Sequence, residues 1–182
     1  NTAYPKIKNI LFYTLADSLT GLLQGNEIYL CTLRGEESDF VRFNRSAVRQ
    51  AGSVVQRFLN IDLLQGQRHA AGDVALTGDL HEDRTRLAQT LDALRAQLPY
   101  LPDDPYLLYA TEVHSSQQQR ANTLPDSRDA VAAILDAGRD RDLVGFYAAG
   151  AIYAGFANSL GQRNWFVNHS FNCDWSFYLQ AD

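Results

Sequence analysis

The dipeptide His81-Glu82 is the position where a metallopeptidase motif could begin. In H-E-x-x-H, two imidazoles one helical turn apart bind zinc and the glutamate acts as the base. Positions 85 and 86 are Thr85 and Arg86, so a second histidine is absent at either spacing. Glu82 also follows Asp79 at the spacing of a helix-capping box. We therefore predict no catalytic residue and no metal ligand in this chain.

The other histidines, serines, glycines and cysteines form no further catalytic motif. His69, His114 and His169 are far apart, and a single histidine among aromatic residues, as at His169, is usually a hydrogen-bonded core or groove residue. No G-x-S-x-G nucleophile elbow occurs, and the glycines between 145 and 155 match no phosphate-binding loop. Cys31 and Cys173 form no C-x-x-C pair and are predicted to be buried thiols. No cofactor is expected in this chain.

A group of arginines is interleaved with phenylalanines in the region of the second and third predicted strands. The group comprises Arg42, Arg45, Arg49, Arg57, Phe40, Phe43 and Phe58. One interpretation is a cationic, partly aromatic surface that holds an acidic peptide or a partner subunit. The other is a solvated sheet face with salt bridges to Glu36, Glu37 and Asp39. The usual exposure of charged residues favours the second interpretation.

Composition excludes several classes of protein. The chain has 182 residues, 46% of them hydrophobic, which suffices for one sizeable core or two small ones. Its net charge of -5 would repel a phosphate backbone, so nucleic acid is not an expected partner. No apolar run approaches the ~20 residues of a membrane helix. We expect no membrane association and a cytoplasmic location.

Two amphipathic segments predict helices in the first half of the chain. The first has apolar residues at helical spacing before Gly25 and Asn26. Its predicted stripe is Ile7, Ile10, Leu11, Leu15, Leu19 and Leu22. The second starts at Asp79 as the N-cap and ends at Pro99. Its predicted stripe is Leu87, Leu91, Leu94 and Leu98.

Between these helices, residues 27–76 have the period-two pattern of strands. Leu59, Ile61 and Leu63 alternate with polar residues and should face a core. Short polar breaks divide the stretch into four or five strands, which an antiparallel meander joins most simply. The breaks are Gly35-Glu36-Glu37, Asn44-Arg45-Ser46, Gly66-Gln67 and Gly72-Asp73.

The second half repeats this order after a proline-rich connection at 99–125. A third helix is predicted from its cap Asp126 to Gly138. Two bent or closely packed strands should follow between Leu143 and Ala157, because the glycines there disfavour a helix. The predicted organisation is residues 1–98, the connection 99–125, and residues 126–182. The fold class is α+β, with antiparallel sheets and helices in two helix-plus-meander layers.

The final stretch is the most regular pattern in the sequence. Its apolar positions, with His169 among them, alternate without interruption against mostly polar residues. They are Trp165, Val167, His169, Phe171, Cys173, Trp175, Phe177 and Leu179. A two-residue turn would reverse the parity, so the pattern predicts one long curved strand or a turn of odd length.

Several of these segments resemble the TldD/PmbA family, the modulators of DNA gyrase. Segments 27–31, 39–44 and 48–52 are similar to the family's opening strands, and residues 77–80 are similar to its entry into a helix. The most specific likeness lies in residues 142–150 and in the N-S-x-G turn Asn158-Ser159-Leu160-Gly161 before a long strand. The resemblance covers about residues 27–98 and 126–181.

The resemblance implies the amino-terminal part of a two-domain zinc metallopeptidase that acts on unstructured peptides as a homo- or heterodimer. In that family the zinc ligands lie in the carboxy-terminal domain, and no position here matches them. The chain is therefore expected to form a wall of the peptide channel and to contribute to subunit association. Asn158, Ser159, Gly161 and His169 are the candidate binding residues. A stand-alone peptide- or protein-binding module and a self-contained hydrolase using His81 and Glu82 are the alternatives.

Overall fold

The computed structural model describes residues 5–179, and their side chains from Asn9 onward. It contains three α-helices and six strands. In chain order these are α1 Pro5–Leu22, β1 Ile28–Asn44, β2 Ala47–Gln65, β3 Arg68–Ala75, α2 Leu80–Gln97, β4 Ser116–Gln119, α3 Ser127–Ala137, β5 Asp142–Asn158 and β6 Arg163–Tyr178. The α+β prediction is confirmed. The strands of both predicted meanders join one six-stranded sheet in the order β3-β2-β1-β5-β6-β4.

Most neighbouring strands run antiparallel. β2 and β3 pair from Phe58 opposite Ala75 to Gln65 opposite Arg68. The turn between β1 and β2 has positive φ at both Arg45 and Ser46, as in the type I′ turn of a two-residue hairpin. β4 is the exception to the antiparallel prediction. The side chain of Asn164 donates to the hydroxyl of Ser116, and Arg120 N donates to Val167 O. β4 and β6 are therefore parallel.

Fewer strands form than the breaks in the sequence predict. Residues 27–76 hold three strands instead of four or five, because Gly35 and Gly72 lie inside β1 and β3. The predicted pair between Leu143 and Ala157 is the single strand β5. Gly150 shows the reason, since a Cβ there would lie 2.2 Å from Glu37 O of β1. These glycines permit close approach of neighbouring chains and do not end the strands.

Contacts divide the chain into two compact units, to which the four longest strands each contribute. Unit 1 is the described part of 1–35, 56–119 and 153–166, and unit 2 is the described part of 36–55, 120–152 and 167–182. The units are therefore not continuous stretches of sequence. The division into 1–98, 99–125 and 126–182 stays a prediction.

The core of unit 1 lies between the helices α1 and α2 and the sheet. Leu59, Ile61 and Leu63 are fully buried, and so is the predicted leucine stripe of α2. The predicted apolar stripe of α1 is partly wrong, because Ile10 is 63% exposed and Leu22 is 40% exposed. Phe12 and Ala16 are buried in their place, beside Leu15 and Leu19. The buried face of α1 is thus shifted relative to the predicted stripe, and Ile7 lies outside the described side chains.

Side chains fix the start of α2. Asp79 is the N-cap, as predicted, and its carboxylate accepts from Glu82 N at 2.8 Å. The prediction that the Glu82 side chain accepts from the backbone N–H of Asp79, which would complete a capping box, is wrong, because Glu82 pairs with Arg86 instead. Asp83, which is 0% exposed, accepts from Thr77 N at 2.8 Å, from the Thr77 hydroxyl at 3.0 Å and from Gly78 N at 3.0 Å. Asp83 thereby stabilises the turn between β3 and α2.

An ion pair joins the other ends of the helices to β1. Glu27 is buried at the start of β1, and Arg95 of α2 binds both of its carboxylate oxygens, at 2.6 and 2.9 Å. Gln24 N donates to the same carboxylate, and Arg95 also donates to Leu22 O at the end of α1. The hydrogen bonds from Arg95 hold the pKa of Glu27 below its usual value, against the opposing effect of burial.

Candidate functional site

Unit 2 has two sheet edges without a neighbouring strand among the described residues. β4 has four residues and accompanies β6 only as far as Val167, so positions 169–178 of β6 have an open outer edge. β3 pairs with β2 from Phe58 onward, which leaves positions 47–56 of β2 open in the same way. Open edges present unpaired N–H and C=O groups that can pair with another extended chain.

β6 is one long strand, which confirms the first alternative of its alternating pattern. Burial changes along it. Trp165 and Val167 are 2% and 3% exposed, whereas Phe171 and Trp175 are 62% and 56% exposed. In unit 2 the Phe171 ring lies 6.0 Å from the ring of Tyr147, centroid to centroid. The open edge is therefore accompanied by large apolar side chains that reach solvent.

Helix α3 supports the strands of unit 2 from one face. Its cap is Asp126, as predicted, whose carboxylate accepts from Arg128 N at 2.8 Å. Ala130 packs with Phe43, Leu143 and Tyr147 in a small buried cluster. Val41, Val131, Ile134, Leu135, Ala149, Cys173 and Phe177 pack partly buried against that cluster. Odd-numbered positions of β1, β5 and β6 thus face α3, and even-numbered positions face away from it.

The ends of the unit 2 strands enclose a cleft of about 520 Å³. Arg42 and Asn44 of β1, Arg49 and Gln50 of β2, Asp142 of β5 and Tyr178 of β6 contribute to its lining. Two of the four arginines from the predicted cationic group therefore meet in one concave site. We call these lining residues the arginine cleft.

The N-S-x-G turn joins β5 to β6, and its polar groups are used within unit 1. Asn158 is buried, and its side-chain oxygen accepts from Leu160 N and Gln162 N, each at 3.0 Å. The Ser159 hydroxyl accepts from Tyr29 N, and Ser159 N donates to Tyr29 O. Gly161 has φ +98°, which a residue with a side chain rarely adopts. This geometry accounts for the motif structurally, and a binding role for the three residues stays a prediction.

The histidines lie in four separate surroundings. His169 is half-buried, and its Nδ1 is buried without a hydrogen-bond partner within residues 5–179. His69 Nδ1 lies 3.1 Å from an Asp62 carboxylate oxygen, and His114 Nε2 lies 3.3 Å from Glu112. His81 is exposed on α2. A binding role for His169 likewise stays a prediction.

Neither cysteine is near a second thiol or a metal-binding cluster. Cys31 is buried, as predicted, and burial raises its pKa to about 12, which disfavours the reactive thiolate. Cys173 is only half-buried, so the prediction of burial is wrong for it. In the described part of the chain, His, Cys, Asp and Glu form no group of three that could hold a metal. The residues present do not fit zinc, and we assign no zinc-dependent step to them.

Sequence comparison gives no relative, since neither a family model nor a curated protein matches the chain. Within residues 5–179, no helix is both long enough and apolar enough to cross a membrane.

Solved structures resemble the chain over nearly its full length. A protein from Bacteroides thetaiotaomicron, described as a modulator of DNA gyrase, matches 98% of this chain with a TM-score of 0.59 and 13% identity. A protein from Thermotoga maritima with a similar description matches 91%, with a TM-score of 0.53 and 12% identity. TldE from Thermococcus kodakarensis matches 91%, with a TM-score of 0.52 and 12% identity.

The chain therefore shares its fold with proteins described as modulators of DNA gyrase and with TldE. The resemblance seen in the sequence motifs is confirmed at the level of the fold. The chain spans only 37% to 42% of the length of these three proteins, so it corresponds to a part of that fold.

Proposed function

We propose that this chain is the amino-terminal, non-catalytic part of a TldD/PmbA-type zinc metallopeptidase of the cytoplasm. In this proposal it holds unstructured peptide and associates with a related subunit, and zinc is bound by a separate carboxy-terminal domain. The observation that carries the proposal is the open outer edge of β6 at 169–178, with exposed aromatic residues beside it. The fold shared with the modulators of DNA gyrase supports it.

The open edge suits an unstructured substrate for a physical reason. A peptide added beside β6 would bond through its backbone, which every residue supplies, so binding would depend little on sequence. Phe171 and Trp175 add apolar contact area that is already exposed in the free chain. The helix α3 and its buried cluster hold the strands in place, and Phe171 lies on the same face, beside Tyr147 of that cluster. Such a rigid edge would lower the ordering cost of binding.

The open edge of β2 suits the partner subunit. Two copies of one edge can pair about a twofold axis, which is the commonest symmetry of soluble dimers. Val48 and Val55 on this stretch are 46% and 62% exposed and would be covered by such pairing. The same surface would also fit a related but different subunit.

Replacing Trp175 by lysine should weaken binding of an unfolded peptide about tenfold, since truncating an interface anchor commonly costs more than about 1 kcal/mol. The added charge also disfavours pairing at a sheet edge. Stability should change by no more than about 0.5 kcal/mol, because Trp175 is 56% exposed. Fluorescence anisotropy of a labelled peptide measures the affinity, and chemical denaturation measures the stability.

Tyr106→Lys is the matched control, since Tyr106 is 89% exposed and lies in unit 1. Equal affinities for both variants and the unchanged chain would contradict peptide binding at this edge. Stoichiometric zinc in the purified chain would contradict its non-catalytic role. In a catalytically inactive full-length protein, unaltered peptide binding after deletion of this part would also overturn the proposal.

A further inference from the structure

The arginine cleft contains two guanidinium groups and one carboxylate, that of Asp142, so its net charge is positive. Arg42 and Arg49 are exposed, and neither side chain has an ion pair or hydrogen bond to residues 9–179. They come from two strands joined by a two-residue turn, and both line the same concave space. Like charges on neighbouring strands repel, so an anion between them would remove an unfavourable interaction.

The remaining lining can also take part in binding an anion. Asn44 brings an amide donor, and Tyr178 brings a phenol hydroxyl. A guanidinium binds a carboxylate or phosphate with two parallel hydrogen bonds. Asp142 lies in the same cleft. Its negative charge disfavours a phosphate dianion more than a carboxylate, which carries a single charge.

The position of the cleft relates it to the open edge within unit 2. Tyr178, the last residue of β6, lies at one side of the cleft, whereas Arg42 and Arg49 lie on β1 and β2, two and three strands away. A peptide that follows the edge from position 169 therefore reaches the arginines by continuing past Tyr178 and across the cleft. Arg42, Asn44, Asp142 and Tyr178 are even-numbered, and the cleft accordingly lies on the face away from α3. The helix therefore does not obstruct access to it.

We propose that the arginine cleft binds the carboxylate of an aspartate or glutamate side chain in the segment of a peptide that continues past the end of the β6 edge. This inference rests on the proposed function, which supplies the peptide, and it narrows the substrate class to acidic unstructured segments. The backbone ladder holds the peptide without regard to sequence, and the cleft adds a preference for acidic residues near the end of β6.

The test compares two unstructured peptides that differ only by glutamate or glutamine near both ends. The chain should bind the glutamate peptide about tenfold more tightly, a difference of about 1.4 kcal/mol. The double variant Arg42→Gln/Arg49→Gln should lose this preference and keep its affinity for the glutamine peptide. Arg128→Gln/Arg139→Gln, which removes the same charge from α3 and from the turn that follows it, should retain the preference. The preference should also shrink as salt is raised.

The outcomes separate this inference from the proposed function. Binding of both peptides with equal affinity overturns the acidic preference and leaves edge binding intact. Binding of neither peptide contradicts the proposed function itself. A preference that survives in Arg42→Gln/Arg49→Gln, or disappears equally in Arg128→Gln/Arg139→Gln, places the effect outside the cleft and overturns the inference. Circular dichroism of the variants verifies that each is folded.

Discussion

Replacement of Glu27 by glutamine is expected to lower the free energy of unfolding by about 3 kcal/mol. The side chain of Glu27 is 2% exposed and that of Arg95 is 20% exposed, so the variant leaves a largely buried guanidinium with only the exposed carboxylate of Asp92 as its counter-charge. The contact also holds the end of α1, through Leu22 O, and the start of β1. Chemical denaturation of the chain and the variant measures the difference.

The effect of Glu27 should depend on pH in a defined direction. Its pKa is lowered in the folded chain, chiefly by the hydrogen bonds from Arg95. The unfolded chain therefore binds the proton more readily, and the stabilisation is complete above the ordinary value of 4.5. It is lost as the pH falls through the lower pKa of the folded state. The difference in free energy of unfolding between the chain and Glu27→Gln should be constant near neutral pH and should decrease in acid.

Glu82→Gln provides the control, because its partner Arg86 lies on the surface, with 42% and 49% of the two side chains exposed. Such a pair contributes about 0.5 kcal/mol or less. Equal losses for Glu27→Gln and Glu82→Gln would contradict the assigned role of the buried pair.

Replacement of Asp83 by alanine should lower the free energy of unfolding by about 2–4 kcal/mol. The variant removes the acceptor for two backbone N–H groups and one hydroxyl at residues 77 and 78. Thr77 and Gly78 are exposed, so water replaces part of what is lost. Asp83 also places a negative charge in the first turn of α2, where the helix dipole favours it. Thermal and chemical denaturation both report the change.

Glu82→Ala removes the same charge from the same helical turn and should cost less than about 1 kcal/mol. Asp83→Asn keeps one acceptor oxygen and should lie between the two alanine variants. If Asp83→Ala and Glu82→Ala were equally stable, Asp83 would not be the residue that stabilises the turn between β3 and α2.

Local signals were sufficient to predict the helices. Asp79 and Asp126 combine a capping side chain with a following apolar stripe, and both caps are observed. The leucines of α2 are buried as predicted because their spacing depends only on the helical repeat. The prediction failed for Ile10 and Leu22, because the spacing of apolar residues does not show which face of the helix the neighbouring sheet covers.

The strand boundaries depended on contacts that no local pattern contains. Gly35 and Gly150 resemble breaks, yet each lies where a Cβ would collide with a neighbouring group, the Tyr153 ring and Glu37 O respectively. Asp83 was missed for a related reason. The hydrogen-bond partners of Asp83 precede the helix, whereas the sequence pattern of a capping box points to Glu82.

The candidate site was only partly visible in the sequence. The alternation from Trp165 to Leu179 predicted a long strand, but an open edge follows from sheet order and from the short length of β4. The cationic group was recognised, whereas only the fold brings Arg42 and Arg49 into one cleft with Tyr178. Both arginines are exposed, as the interpretation as a solvated surface requires, and they also line one concave site.

The central claim, that an extended peptide pairs with a sheet edge, is tested most directly with backbone-methylated peptides. Two versions of one binding peptide carry N-methyl groups, the first on alternate residues and the second on every residue. In an extended chain, alternate N–H groups point to opposite sides, so the first version can turn its unmodified N–H groups to the edge and the second cannot. The account predicts that the alternately methylated version retains binding and the fully methylated version loses it. Equal binding of both versions would contradict pairing at the edge.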